Sequence, residues 1–119
     1  MLKEDCIFCK IIKGEIPSKK YYEDDNFLAI FDISPISEGH FVVFSKNHYP
    51  NAGEMPEQEW QKICVLARNL AEKYTKEIKA DGYSFLINQG EAAQSAVAHR
   101  PHIHIIPRRF GDGLKIDPR

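Results

Sequence analysis

His102-Ile103-His104-Ile105-Ile106 alternates imidazole with branched apolar side chains. In a strand the side-chain period is two, so His102, His104 and Ile106 share one face while Ile103 and Ile105 share the other. Working back from this last strand, Tyr83-Ser84-Phe85-Leu86-Ile87-Asn88 predicts another, joined to it through the small-residue loop Gln89-Gly90-Glu91-Ala92-Ala93-Gln94-Ser95. Before that, Pro56 opens one long helix in which Trp60, Ile63, Ala67, Leu70, Ala71, Tyr74 and Ile78 recur at threes and fours, until Asp81-Gly82 ends it. The run His40-Phe41-Val42-Val43-Phe44-Ser45-Lys46, bracketed by Gly39 and Pro50, carries too little polarity on either face for a half-exposed edge strand, so helix cover on one side is expected. Asn26-Phe27-Leu28-Ala29-Ile30-Phe31 predicts a further strand running into the turn Asp32-Ile33-Ser34-Pro35, and Asp5 to Ile12 has helical spacing that Gly14 and Pro17 stop. Mostly strands with short links, and one long helix before the last two, predict an α+β domain with an antiparallel sheet.

With 119 residues, 43% of them hydrophobic, the chain can close one core, and a single domain over 1–119 is expected. A formal net charge of -1 excludes the broad positive field that holds a polynucleotide backbone. A small anionic ligand needs only a few converging donors and is the better expectation. The N-terminal stretch lacks the apolar core and cleavage site of a signal peptide, and no run approaches the roughly 20 apolar residues that span a bilayer, so a soluble, cytoplasmic protein without membrane partners is expected. Three cysteines, two of them close together, read as metal ligands or free thiols.

Two imidazoles on one strand face are within reach of one bound group: one could attack while the other holds an oxygen, or both could simply line a half-exposed sheet. Imidazole is a competent nucleophile near neutral pH without an activating base, because much of it is unprotonated there. Cys6 and Cys9 form a C-x-x-C that His48 and His99 could complete into a tetrahedral zinc shell, with redox use the second reading and a turn role the alternative for His48. Asp32 suits either an Asx turn or a grip on a diol at the sheet rim. His40 could be a satisfied core histidine or could orient the attacking imidazole. Asn88 could donate to a phosphate oxygen or close its turn. Cys64, beside the apolar stripe of the long helix, reads as packing, and Arg108-Arg109 could attract polyphosphate or form a solvated basic face.

Five blocks in order, Asp5-Cys6-Ile7-Phe8-Cys9-Lys10-Ile11-Ile12, Phe31-Asp32-Ile33-Ser34-Pro35, Gly39-His40 with Lys46-Asn47-His48, Asn88-Gln89-Gly90-Glu91 and His102-Ile103-His104-Ile105-Ile106-Pro107-Arg108, together resemble the histidine triad (HIT) family. The chain looks most like its small zinc-containing, Hint-like branch of nucleoside phosphoramidases and dinucleoside polyphosphate hydrolases. The resemblance implies a HIT-like antiparallel sheet with one long helix and a short N-terminal helix, in a homodimer that shares the long helix and a strand. It further implies a purine nucleotide substrate resting near Ile12, Phe31 and Ile33, Asp32 on the ribose hydroxyls, and Asn88 at the α-phosphate. His102 matches the nucleophile, His104 the last triad member, and His40 the histidine that supports the nucleophile from the adjoining strand. Ser95 corresponds to a hydroxyl that binds oxygen in relatives. Cys6, Cys9, His48 and His99 match the set for a structural zinc.

The chain departs from the family pattern in the segment before the last strand. Relatives usually read H-x-H-x-H, whereas counting back by twos from His104 reaches His102 and then Arg100, so His99 takes the first triad position only through a bulge. Pro101, which lacks a ladder donor, supports such an irregularity. The implied activity is hydrolysis through a nucleotidyl-histidine intermediate on His102. Two other readings remain: a nucleotide-binding regulatory protein with weak turnover, or a nucleotidyl transferase in which a second phosphate replaces water.

Overall fold

The structure is a computed structural model that describes residues 6–93 and 101–115. Two helices, α1 (Ile7–Ile12) and α2 (Glu57–Glu77), flank five strands, β1 (Lys20–Glu23), β2 (Phe27–Phe31), β3 (Phe41–Ser45), β4 (Gly82–Leu86) and β5 (His102–Arg108). The strands form one antiparallel sheet in the order β1-β2-β3-β5-β4. No described helix is long and apolar enough to cross a membrane.

The period of two in the strands decides which helix each side chain meets. Phe27, Ala29, Phe41, Val43, Ile103 and Ile105 are buried with Ile63, Ala67, Leu70 and Ala71, the apolar stripe of α2. Leu28, Ile30, Val42 and Phe44 point to the other face and pack with Phe8, Cys9 and Ile11 of α1. Fully burying each of the valine, leucine, isoleucine and phenylalanine side chains among them contributes about 1.5–3 kcal/mol before entropy is charged against it. Every residue of β3 is therefore buried. Helix cover was expected on one side of this strand; it is present on both, because the short α1 is as apolar inward as α2.

Three details differ from the sequence reading. α2 ends at Glu77 rather than at Asp81-Gly82: Lys79 takes φ 57°, the left-handed conformation, and Gly82 already belongs to β4. The carbonyls of Ile78 and Lys79 are taken up by Arg109 at 2.9 and 2.7 Å, which compensates an unfavourable conformation for a residue with a Cβ. β1 was not anticipated. Its four residues carry two charges, and its register slips between Lys20 and Tyr22, so no period-two pattern is visible in the sequence. β5 runs on to Arg108, with Pro107 paired to Tyr83.

Candidate active site

β5 lies between β3 and β4, and its register places His102 beside Phe44 and His104 beside Val42. Phe44 and Val42 face α1, so both histidines project from that face. Their ring centroids are 4.8 Å apart. His102 is only 3% exposed, with Phe8 of α1 edge-on to its ring at 5.1 Å and Phe8 in turn stacked on Phe44 at 4.3 Å. The parity read from the sequence thus brings both imidazoles to one place.

His40, 2% exposed, leads into β3. Its Nε2 lies 2.9 Å from Nδ1 of His104 and 3.7 Å from a carboxylate oxygen of Asp32, while its Nδ1 accepts from the Ile36 amide at 3.1 Å. The ring that His40 bonds is that of His104, the neighbour of His102 on the same strand face. Burial holds both rings below the usual histidine range. For His104, burial is followed by the neighbouring rings of His102 and His40, and its pKa is brought down to about 4; for His40, burial outweighs the opposing pull of Asp32. Both are uncharged at neutral pH.

Gly39 is what allows His40 its place. Its φ of +85° is left-handed, and a Cβ there would stand 2.7 Å from Cε2 of Tyr74. Asp32 makes the Asx-turn contact, accepting from the Ser34 amide at 2.9 Å, while its other oxygen faces His40. A cleft of about 170 Å³ opens beside these groups, lined by Phe8, Ile11, Ile30, Phe31, Asp32, Ile33 and Val42 among others. Ile12 is not among its lining residues and packs against the apolar cluster under α1. The Phe31 ring belongs to the aromatic group of Tyr21, Phe41 and Tyr74 on the α2 side. Ile30 and Val42 were missed as cleft residues, although the alternation of β2 and β3 carries the signal that would have identified them.

Asn88 follows β4 by two residues, half-buried, beyond the pair Leu86–His104. Its carbonyl accepts from the Gln89 side chain at 2.9 Å, and Gln89 also accepts from the Ala52 amide at 2.6 Å, tying this loop to the turn before α2. Ser95 lies outside the described residues. Arg108 is bound to Asp112 and to the Leu114 carbonyl, and Arg109 to the end of α2 and to Glu38, so neither forms an uncommitted basic face. Cys64 is half-buried against the α2-side core, where burial raises its pKa.

A second cluster joins α1 to the loop after β3. Cys6, Cys9 and His48 bring their ligand atoms within 4.8 Å of one another, with Cys9 Sγ 3.4 Å from His48 Nδ1, and both cysteines are buried. Two thiols and an imidazole are a donor set suited to zinc. The fourth expected member, His99, lies outside the described residues. Asp32, His40 and His104 also gather metal-capable atoms within 4.8 Å, but there the two imidazoles are hydrogen-bonded to each other, with the Asp32 carboxylate 3.7 Å from His40 Nε2.

Comparison with known proteins agrees with this geometry. The HIT domain family model matches residues 13–111. The chain is 42% identical to an adenylylsulfatase of Arabidopsis thaliana over 95% of its own length, and 40% identical to an adenosine 5'-monophosphoramidase of Saccharomyces cerevisiae over 87%. It spans 57% and 63% of the lengths of those two relatives. The crystal structure of a Zn-bound histidine triad family protein from Mycobacterium smegmatis superposes with a TM-score of 0.87 at 36% identity, covering 97% of this chain and 84% of that one. With its sheet, its buried histidine group and nearly its whole length matched, the chain belongs to the HIT family.

Proposed function

We propose that the protein is a nucleotide-binding hydrolase that cleaves nucleoside phosphoramidates or dinucleoside polyphosphates, with His102 as the nucleophile. The observation that carries this reading is the imidazole pair of buried His102 and half-buried His104, ring centroids 4.8 Å apart, near an apolar cleft whose lining includes Asp32. The cleft suits a base on Ile30, Val42 and Ile33, and Asp32 at its rim suits the ribose hydroxyls. The names of the yeast and Arabidopsis relatives both contain an adenosine-type group, which favours a purine.

In the first step a nitrogen lone pair of His102 forms a bond to the α-phosphorus, and the bond to the amine or phosphate chain breaks with its electron pair. The departing amine takes a proton from solvent. In the second step water bonds to the phosphorus, the P–N bond to His102 breaks, and the water's proton is released, leaving the mononucleotide and the starting imidazole. His104 and Asn88 are the donors for the non-bridging oxygens, on which the charge of the transition state rests. Acid-free quench of a reaction with adenosine phosphoramidate, followed by intact mass and peptide mapping, tests the reading. A nucleotidyl adduct on His102 is expected; an adduct on another residue sinks the assignment, as does turnover undiminished in a His102→Asn protein.

Cys6, Cys9 and His48, with His99, are proposed to hold one structural zinc, which when bound would tie α1 to the sheet. About one zinc per chain is expected by elemental analysis of protein purified without added metal. A homodimer is proposed as well: β4 is an edge strand, and Phe85 on it and Val65 on α2 are 43% and 45% exposed. Light scattering that gave a monomer mass at micromolar concentration would defeat it.

A further inference from the structure

The segment between β2 and β3 carries a run of hydrogen bonds that the proposed chemistry does not use. The Ser37 hydroxyl donates to the Pro107 carbonyl at 2.7 Å, fastening the loop to β5 seventy residues away in sequence. The Ser37 carbonyl accepts from the His40 amide at 3.2 Å, and the neighbouring Ile36 amide donates to His40 Nδ1 at 3.1 Å. His40 Nε2 then meets His104 Nδ1 at 2.9 Å.

These contacts have a direction. A backbone amide can only donate, so His40 Nδ1 must present its lone pair to Ile36. A neutral imidazole with an unprotonated Nδ1 carries its hydrogen on Nε2. That hydrogen points to His104 Nδ1, which must accept, and the single hydrogen of a neutral His104 is therefore on Nε2. The same logic argues against a metal shared by Asp32, His40 and His104. The His40 nitrogen nearest the other two is the protonated one, and a metal ligand needs a lone pair there.

We infer that Ser37 is a positioning residue: by anchoring the loop to β5 it holds the Ile36 amide against His40, which sets the tautomer of His40 and, through it, that of His104. His104 thereby enters the reaction with a hydrogen on Nε2, as a neutral donor for a phosphate oxygen. The tautomer assignment stands on the geometry alone; its use on a phosphate rests on the proposed function. Ser37 is half-buried and lies in the loop, five residues from Asp32, and makes no contact that a scan for nucleophiles or ligands would reward.

Imidazole nitrogen NMR on the full, zinc-loaded chain with labelled histidine reads the tautomers directly, with signals assigned from His40→Gln and His104→Gln. His40 and His104 are expected as single Nε2–H tautomers at neutral pH. In Ser37→Ala both patterns should become mixtures, kcat should fall by about two- to tenfold, the share of one neutral hydrogen bond, and KM should stay unchanged. Ser37→Thr, which keeps the hydroxyl, should restore the single pattern. An Nδ1–H tautomer at His104 in the unmodified chain overturns the inference, and so do unchanged tautomers in a folded Ser37→Ala protein. Correct tautomers in a chain that hydrolyses no nucleotide leave the relay standing and sink the proposed function instead.

Discussion

The two faces of the sheet are built from the same strands, residue by residue in alternation, and they do different work. On the α2 face Phe27, Ala29, Phe41, Val43, Ile103 and Ile105 meet the apolar stripe of the long helix. On the α1 face the same strands offer Leu28, Ile30, Val42 and Phe44, and then His102 and His104 where the alternation of β5 continues. A single residue step therefore separates packing from the proposed chemistry. Ile103 and His104 differ by one position and face opposite sides. The α1 face can hold polar rings in its interior because they are hydrogen-bonded, His40 to the Ile36 amide and to His104, while the six-residue α1 leaves a cleft open near them.

The sharpest break of this comparison is on the α1 face. His102→Asn should lower turnover of adenosine phosphoramidate by on the order of 10⁴-fold, as loss of a nucleophile does, while circular dichroism, zinc content and nucleotide binding remain. The matching change on the other face is Ile63→Ala, at a residue 1% exposed and remote from the histidines. It should cost about 2–5 kcal/mol in denaturant unfolding and leave kcat unchanged at temperatures where the chain is folded. A His102 variant that lost stability like Ile63→Ala, or an Ile63 variant that lost turnover while folded, would mean that the two faces are not separable.

That separation was partly legible in the sequence. Period two in His102-Ile103-His104-Ile105 placed the histidines together, and the spacing of Ile63, Ala67, Leu70 and Ala71 identified the helix that covers the opposite side. The C-x-x-C and His48 were also recognisable, because metal-ligating residue types are rare and their spacing is constrained. What stayed hidden depends on contacts between residues far apart in the chain. β1 has no pattern of its own and exists because β2 offers an edge to pair with. Ile30 and Val42 are buried core residues that also line the cleft; the alternation assigns them to the α1 face, but only the packing of α1 against the sheet makes that face a cleft wall. The His40–His104 bond and the Ser37–Pro107 anchor join positions 64 and 70 residues apart, and neither pairing has a local signal in the sequence.

The faces should also answer to opposite ends of the pH scale, with effects smaller than either substitution. His40 and His104 are held below the ordinary histidine range by burial, His104 at about 4, so between that value and 6.5 the unfolded chain binds protons that the folded one refuses. Stability is then fully present above pH 6.5 and is lost as pH falls toward 4, with each ring contributing at most about 1.4 kcal/mol per pH unit. His104→Gln should flatten that limb in unfolding curves taken across the window. On the α2 face, burial raises Tyr21 and Tyr74 above the ordinary tyrosine value of 10.0, with the Glu77 carboxylate adding to the rise in both. Their contribution has the reverse sign: it is complete below pH 10 and falls as pH rises through the folded values. The Tyr21 hydroxyl is buried and finds no hydrogen-bond partner among the described residues, so Tyr21→Phe removes a group that stabilises nothing at neutral pH. It should leave stability at pH 7 within about 0.5 kcal/mol of the parent or slightly above it, and should blunt only the alkaline limb. Loss of the acid limb in Tyr21→Phe, or of the alkaline limb in His104→Gln, would show that the titrating groups on the two faces are coupled through the sheet.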